Sequence, residues 1–522
     1  MSRILPSPLI GSATIALTEG CAFHSTVSGK AGCVPPVLIC KRGQGRIINV
    51  WLVLTVVLGA LIAFADGLTR VPILERQASW NGPLEYEPYW GALLLAAITF
   101  PLMLAYACKA GVRLAEALFL WFVFCTTAYT RDFSYIRWPG TPLFITEVVL
   151  LILLLSIYLV PRRHGLRTPL PVRVLLVLLV TAGMLAAMRG FLGHRDPVFV
   201  LRDLALVAYP LFLLVAHNLL GSWLSIKRMA IWFLLGTALG ALGGLGWFIA
   251  APGERRFIYF GIYILISLAG ILVAITHRWI NPGVGWVSAG VFCVGLMLAN
   301  ARSLFVALVA LLLLAFLAGR SVYGSIRIAS FIRNSLAMVV LVTLAAFLFL
   351  RTEAGRDFAE RSAQELASGV LDTGEDANWQ FRLSAWKEAW KRFEEYPLGG
   401  EGFGIPFVFD SSPFDNDPRP HNTYLTVLYK MGIVGFLPLL AFLVYFFWVA
   451  FHGARRNLKS RRVAFLWIVV LAQVAFCLYG SANLMLESPF LASVFWALIG
   501  LGLRMVRMLD LERSLMKSRL AH

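Results

Sequence analysis

Arginine and histidine side chains recur near the ends of the chain's apolar segments, where they could bind an anionic group. These residues, together with two in the long polar stretch, are Arg189, Arg195, Arg202, Arg302, Arg382 and His421. A guanidinium binds a phosphate or diphosphate through two parallel hydrogen bonds. A histidine at the same level could take a proton from an attacking hydroxyl. These residue types therefore favour group transfer on a substrate that carries a diphosphate.

Each of these charges also has a purely structural interpretation. A charged residue at the end of an apolar segment can extend its side chain to the interface or form a local ion pair. Arg202 stands beside Asp203, although adjacent residues on a helix do not face each other. Glu487 is a further candidate, just before the last apolar segment. By position alone, His421 is more often an interfacial hydrogen-bonding residue than a catalyst.

Composition identifies the elements that must position these residues. The chain has 522 residues, of which 59% are hydrophobic and 14% charged, and its mean hydropathy is +0.76. A soluble domain carries about 25% charged residues, so an ordinary soluble enzyme is excluded. The net charge of +18 suits a membrane protein with basic cytoplasmic loops, so we expect no nucleic-acid partner. The sequence predicts an all-α polytopic membrane protein.

Fourteen apolar stretches are long enough to span a membrane, and we expect about 12–14 transmembrane helices. A span needs roughly 20 mostly apolar residues. The candidates are 48–66, 89–108, 114–130, 143–160, 172–189, 198–218, 230–251, 258–276, 283–299, 303–319, 335–350, 422–451, 463–481 and 489–507.

The distribution of Lys and Arg predicts the orientation. With a cytoplasmic N-terminus, the inner connections and their flanks hold 27 of the 46 Lys and Arg residues. This bias is typical of cytoplasmic loops and predicts that both termini are cytoplasmic. The predicted parts are a tail (1–47), N-terminal helices (48–350), a long periplasmic loop (351–421), C-terminal helices (422–507) and a second tail (508–522). The cysteines form no CxxC motif or Cys/His cluster, so no zinc site is expected. We also predict no other metal and no cofactor.

The long loop is acidic, with 14 acids against eight bases, and contains one helical pattern. Spacings of three and four residues place one set on a single face: Trp379, Leu383, Trp386, Trp390 and Phe393. The pattern predicts an amphipathic helix that lies on the outer membrane surface or packs against the spans. The two interpretations are equally favoured, and both place Arg382 near the headgroups. Four glycines within 397–404 predict a turn and are weak support for phosphate binding, because the lysine of a P-loop is missing.

Several motifs between about 300 and 440 resemble those of the O-antigen ligase and polymerase superfamily. The first is His421-Asn422-Thr423-Tyr424-Leu425 followed by Gly432-Ile433-Val434-Gly435. The second is Arg382 and Trp386 ahead of Pro397-Leu398-Gly399-Gly400-Glu401-Gly402-Phe403-Gly404. The third is Arg302 followed by Ser303-Leu304-Phe305-Val306-Ala307-Leu308. Lys430 departs from the pattern, because relatives often carry an acidic residue there, and is assigned no role.

The resemblance implies a metal-independent, inverting glycan transferase of lipopolysaccharide or exopolysaccharide assembly. Such enzymes move a glycan from undecaprenyl diphosphate to a hydroxyl on a glycan, lipid or protein acceptor, at the outer face of the bacterial cytoplasmic membrane. Carried over, Arg302 and Arg382 bind the diphosphate and stabilise its departing charge, and His421 is the catalytic base. Arg202 and Glu487 match no family motif and remain secondary substrate-binding candidates. The motifs do not separate polymerase from ligase.

A transporter or flippase for a lipid-linked or anionic substrate is the alternative from another class. It predicts charges near mid-membrane and an interrupted helix there. The five glycines within 230–251 could mark such a break, but small residues also serve ordinary helix packing. The arginines gather instead at the outer edge, which favours the enzyme. An inactive structural relative is a third hypothesis.

Overall fold

Apolar helices make up the fold, because a helix satisfies its backbone hydrogen bonds within one segment even in lipid. The computed structural model describes residues 44–69, 90–137, 143–159, 168–250, 261–299, 304, 307–311, 324–353, 355–357, 360, 377–407, 419–458 and 460–520. No strand occurs among these residues, and one isolated bridge pairs Arg137 with Phe144. The prediction of an all-α fold is confirmed.

Seventeen α-helices are described, numbered here in chain order. They are α1 (Gln44–Thr69), α2 (Trp90–Ala110), α3 (Leu114–Tyr129), α4 (Arg131–Ser134), α5 (Ile145–Leu159), α6 (Leu170–Leu192), α7 (Pro197–Asp203), α8 (Ala205–Ala208), α9 (Phe212–Leu219), α10 (Trp223–Ala250), α11 (Gly261–Thr276), α12 (Pro282–Ala299), α13 (Gly324–Leu350), α14 (Ala377–Glu395), α15 (Thr423–Arg456), α16 (Val463–Gly480) and α17 (Pro489–Leu520).

Nine helical segments in the described part of the chain are long and apolar enough to cross a membrane. Three shorter apolar helices, α3, α5 and α11, coincide with further predicted spans. The chain is therefore a multi-pass membrane protein, as predicted. The candidate span 335–350 corresponds to α13, whereas most of 303–319 lies outside the described residues.

The last long helix, α17, forms the centre of the bundle. Its membrane-spanning window is completely buried, and Trp496 is fully enclosed. Helix α9 packs along α17, and α15 and α16 also contact it. Helix α15 in turn packs on α6, so the C-terminal helices of the chain are joined to the middle of the sequence.

The glycines of α10 serve helix packing, and α10 is one continuous helix from Trp223 to Ala250. A Cβ added at Gly236 would lie 2.1 Å from Thr127 Oγ1 and 2.4 Å from the Phe124 carbonyl oxygen on α3. A Cβ at Gly246 would lie 2.6 Å from the Phe64 carbonyl oxygen on α1. The glycines therefore allow three helix backbones to approach closely, and the helix break that a transporter would place here is absent from α10.

The predicted span 198–218 is instead built of short pieces. Helices α7 and α8, a 3₁₀ turn over Tyr209–Leu211 and α9 follow one another without a long uninterrupted helix. Pro210 lies in the 3₁₀ turn, where its missing N–H removes a helical hydrogen bond. The irregular start of this span brings Asp203 towards the interior.

Candidate functional site

A break in α15 forms the backbone of the candidate site. Gly432 has φ 61° and ψ −164°, so the helix is interrupted within an otherwise apolar span. The glycine-rich segment 397–404 fills the interruption. Glu401 N donates to the Tyr429 carbonyl oxygen over 2.7 Å, and Gly402 N donates to the Lys430 carbonyl oxygen over 3.0 Å. The predicted turn thus supplies hydrogen bonds that the broken helix cannot make itself.

The backbone N–H groups after the break also form hydrogen bonds with the glycine-rich segment. Ile433 N donates to the Pro397 carbonyl oxygen over 2.9 Å, and Val434 N donates to the Leu398 carbonyl oxygen over 3.1 Å. Gly400 has φ 70°, and a Cβ there would lie 2.3 Å from the Lys430 carbonyl carbon. Only glycine permits backbone to approach backbone this closely.

Two of the arginines proposed to bind an anion hold this segment from α6 and the turn after it. Arg189 Nη1 donates to the Gly400 carbonyl oxygen over 2.8 Å. Arg195 Nη1 donates to the Phe403 carbonyl oxygen over 3.0 Å, and its Nη2 donates to the Glu401 carbonyl oxygen over 3.1 Å. Burial lowers the pKa of Arg195, and the nearby charge of Glu401 opposes that effect. These hydrogen bonds give Arg189 and Arg195 a structural task.

Lys430 is the centre of a buried ion cluster just before the break. Its Nζ lies 2.8 Å from Asp203 Oδ1 and 3.1 Å from Glu487 Oε1. The Lys430 and Asp203 side chains are each 2% exposed, and that of Glu487 is 7% exposed. Asp203 Oδ2 accepts a hydrogen bond from Gly404 N over 2.9 Å. The cluster therefore joins α7, the glycine-rich segment, α15 and the 481–488 connection.

Of the residues in this cluster, Glu487 was a predicted site residue, whereas sequence reasoning assigned no site role to Asp203 or Lys430. Glu487 is brought into it, and Arg202 lies at its edge with Nε 3.7 Å from Asp203 Oδ1. Arg202 is 26% exposed and its guanidinium lies 4.9 Å from the Phe199 ring centroid. A lysine inside an apolar span was the available signal for Lys430, because such a charge requires a buried partner.

His421 stands directly before α15. Its φ is 48°, a backbone conformation that is uncommon for a residue with a side chain. The next residue, Asn422, caps the helix, and its Oδ1 accepts hydrogen bonds from Tyr424 N and Leu425 N over 3.0 and 3.1 Å. The ring centroids of His421 and Phe381 are 5.8 Å apart in an edge-to-face arrangement. The cap and the aromatic contact fix His421 at this end of α15, which we call the His421 end of the bundle.

The 481–488 connection is held against the same end. Met485 N donates to Thr423 Oγ1 over 2.8 Å, and Thr423 Oγ1 donates to the Asn483 carbonyl oxygen over 3.2 Å. This connection also carries Glu487. The hydrogen bonds of Thr423 therefore tie the segment of Glu487 to the segment of His421.

Arg382 lies on α14, where the predicted helix is confirmed. The buried face of α14 consists of Phe381, Ala385 and Ala389, and it packs against α15. Trp390 on the predicted tryptophan face is 48% exposed. Small residues, more than tryptophans, form the contact with the spans. Arg382 is half-buried beside Phe381, the residue that contacts His421.

Trp386 adds a second link from α14 to the histidine segment. Its Nε1 donates to the Pro420 carbonyl oxygen over 2.8 Å, one residue before His421. Arg302 lies outside the described residues. No group of three or more His, Cys, Asp or Glu side chains that could hold a metal ion occurs among the described residues.

Residues 287–440 match the family model described as O-antigen ligase. The match covers less than a third of the chain, and this region is similar to an O-antigen ligase domain. The matched region includes α14, the glycine-rich segment, His421 and the break in α15, so the resemblance inferred from the sequence is confirmed. The O-antigen ligase family implies glycosyl transfer from a lipid-linked glycan donor to an acceptor. A search of curated proteins found no match.

Proposed function

We propose that this protein transfers a glycan from undecaprenyl diphosphate to an acceptor hydroxyl at the outer face of the bacterial cytoplasmic membrane, in lipopolysaccharide or exopolysaccharide assembly. The observation that carries the proposal is that Arg302, Arg382 and His421 all fall within the matched region 287–440. Contacts around His421 add support, because Phe381 and Trp386 join its segment to the helix that bears Arg382.

In the proposed reaction His421 is the catalytic base. It accepts the proton of the acceptor hydroxyl while that oxygen attacks the anomeric carbon of the donor glycan. The bond between the anomeric carbon and the diphosphate oxygen breaks, and undecaprenyl diphosphate leaves with the bonding electrons. Attack from the side opposite the departing diphosphate inverts the anomeric configuration. The proton that the acceptor hydroxyl loses ends on His421.

Arg302 and Arg382 stabilise the departing diphosphate in this proposal. Charge grows on the diphosphate as the bond breaks, so cations already in place lower the barrier. Two arginines can take this role without a divalent metal, which is the metal-independent mechanism that we propose. Arg202 is a secondary donor-binding candidate because its guanidinium remains partly exposed at the edge of the ion cluster.

Glu487 is a secondary substrate-binding candidate. One of its carboxylate oxygens binds Lys430, while Oε2 has no hydrogen-bond partner in the described part of the chain. A sugar hydroxyl could donate to this oxygen. The orientation that suits this proposal places the His421 end outside and both chain termini in the cytoplasm, in agreement with the distribution of Lys and Arg.

Alanine substitution tests the site. We expect His421→Ala and Arg382→Ala to abolish transfer while membrane abundance stays at the wild-type level, and Arg302→Ala to do the same. His452→Ala is the matched control, because His452 lies on the same helix and, among the described residues, has its hydrogen bond with Trp448 and its ring contacts with Trp448 and Phe451. Full activity in both His421→Ala and Arg302→Ala would refute the site. Arg302→Lys should also be poorly active, because lysine lacks the planar fork.

Glycan analysis of a deletion strain identifies the acceptor class. Loss of long chains, restored by the wild type and not by His421→Ala, indicates a polymerase. Complete chains that remain on the lipid carrier indicate a ligase for a lipid or protein acceptor. Lipid-linked glycan that accumulates on the cytoplasmic face would support the transporter hypothesis, and unchanged glycans would support an inactive relative; either result overturns the proposed transferase.

A further inference from the structure

A second polar cluster is buried at the opposite end of the bundle, where α9 ends and α3 begins. Its central residue is Arg504 on α17, which is 2% exposed. Arg504 Nη2 donates to the Gly221 carbonyl oxygen over 3.4 Å, whereas Nε and Nη1 have no hydrogen-bond partner in the described part of the chain. We call this the Arg504 end of the bundle.

His217 on α9 is equally unsatisfied. Its side chain is fully buried, and neither ring nitrogen has a hydrogen-bond partner among the described residues. It lies within electrostatic range of Arg504 and Arg507. At least one ring nitrogen of a histidine carries a proton, so His217 offers a further N–H donor to the cluster.

Arg113 approaches the same place from the start of α3. Its Nη2 donates to the Leu219 carbonyl oxygen over 3.1 Å. A Cβ added at Gly221 would lie 3.2 Å from Arg504 Nη2 and 3.9 Å from Arg113 Nη2, so both guanidinium groups flank this glycine. Arg507 follows Arg504 by three residues and shares its side of α17.

Helix capping explains only part of this arrangement. Cations stabilise the carbonyl end of a helix, and Arg113 and Arg504 each give one nitrogen to carbonyl groups at the end of α9. In the part of the chain that the structure describes, capping leaves Nε and Nη1 of Arg504 and both ring nitrogens of His217 without hydrogen-bond partners. A buried charged donor without a partner is costly, so the arrangement favours a further group that accepts hydrogen bonds.

Charge indicates what kind of group this is. In the described part of the chain, neither Arg113 nor Arg504 forms a salt bridge with an acidic side chain, in contrast to Lys430, which has two carboxylate partners. A phosphate group supplies both the missing negative charge and several acceptor oxygens. Arg113 is exposed and Gly221 is half-buried, so an anion can approach along this side.

We propose that Arg504, Arg113 and His217 form a binding site for a phosphate-bearing anion at the Arg504 end of the bundle, separate from the proposed donor site at the His421 end. Guanidinium N–H groups of Arg504 bind the phosphate oxygens, His217 donates a further hydrogen bond and Arg113 covers the entrance. The phosphate belongs to the headgroup of an anionic phospholipid or to a free phosphate ion, and the two sources are distinguished by experiment.

The experiment compares the melting temperature (Tm) of the full-length protein in two kinds of nanodisc. One contains phosphatidylcholine alone, and the other contains phosphatidylcholine with phosphatidylglycerol. We expect phosphatidylglycerol to raise the Tm of the wild type by several degrees and to have no such effect on Arg504→Gln. Arg455→Gln is the matched control, because Arg455 is exposed and contacts only the Phe451 ring among the described residues; it should keep the wild-type response.

Gly221→Val provides a second variant that keeps every positive charge. Its side chain would occupy the space beside Arg504 Nη2, so the response to phosphatidylglycerol should be lost. Adding inorganic phosphate to phosphatidylcholine nanodiscs, against chloride at equal ionic strength, tests the free ion. Protection by phosphate that Arg504→Gln abolishes assigns the site to the free ion.

Two results would overturn the proposal. One is a wild-type Tm that neither phosphatidylglycerol nor phosphate changes, a result that requires no variant to fold. The other is an equal response in the wild type, Arg504→Gln and Gly221→Val, because the lipid would then act elsewhere.

Discussion

Replacing Gly432 with alanine should separate the glycine-rich segment from the broken helix. The backbone at Gly432 lies in a region that is almost restricted to glycine, and strain of this kind costs about 1–3 kcal/mol. The new Cβ would also lie 2.4 Å from the Leu398 carbonyl oxygen and 2.5 Å from Gly400 N. Both are backbone atoms, so the clash can be relieved only by moving the segment.

Moving the segment weakens the four hydrogen bonds that cross the break. Each contributes about 0.5–1.5 kcal/mol net, so with the strain the free energy of unfolding should fall by about 3 kcal/mol or more. We expect a clearly lower Tm in detergent, measured by tryptophan fluorescence. Glycan transfer in cells should also be lost, because the segment connects α14 to the residues that precede the break in α15.

Two control glycines separate the effect of backbone strain from the effect of the clash with the glycine-rich segment. Gly111 has φ 61°, and no atom of the described residues lies within 4 Å of an added Cβ, so Gly111→Ala should cost only the conformational strain, about 1–2 kcal/mol. Gly270 lies within α11, where an added Cβ would meet, among the described residues, only Ile468 Cγ2 at 3.7 Å, so Gly270→Ala should be neutral or stabilising by about 0.5–1 kcal/mol. If Gly432→Ala is no less stable than Gly111→Ala, the segment does not support the break and our reasoning is wrong.

Two further substitutions test the surroundings of the site. Lys430→Met leaves Asp203 and Glu487 buried without their cation and should lower the free energy of unfolding by about 3–5 kcal/mol. Adding Asp203→Asn and Glu487→Gln to this variant should recover most of the lost stability. A Lys430→Met variant as stable as the wild type would contradict the buried cluster. Asn422→Ala removes the cap of α15 and should cost about 1 kcal/mol. Because His421 is adjacent to the cap, Asn422→Ala should lose more glycan-transfer activity than its loss of stability explains. Asn422→Asp also caps the helix and should keep its activity. Equal activity in the two variants would contradict a positioning role for Asn422.

Hydropathy predicted most helices because each span is a local property of its own residues. The predicted span 463–481 and helix α16 differ by a single residue at their C-terminal ends. The same signal could not reveal the break in α15, because apolar residues continue on both sides of Gly432 and only the backbone conformation changes. Hydrogen bonds from a distant segment stabilise that conformation, and no local pattern encodes them.

Local sequence motifs predicted part of the candidate site, whereas contacts between residues far apart in the sequence could not be predicted. The spacing of the tryptophans predicted α14 but not which of its residues meet α15; Ala385 and Ala389 form that contact because small side chains permit a close approach. Asp203 and Lys430 are separated by 227 residues, so neither residue indicates the other in the sequence. Each is unusual in an apolar segment, and only the fold brings them together.

The hydrogen bonds across the break in α15 have a consequence for recombination between related enzymes. The glycine-rich segment completes a helix that begins almost twenty residues later in the chain, so the two cannot be inherited separately without matching each other. A chimaera joined at residue 421 would combine a loop from one parent with a helix interruption from another. A chimaera that keeps the matched pair should therefore exchange residues 377–456 as one block, with junctions outside α14 and α15.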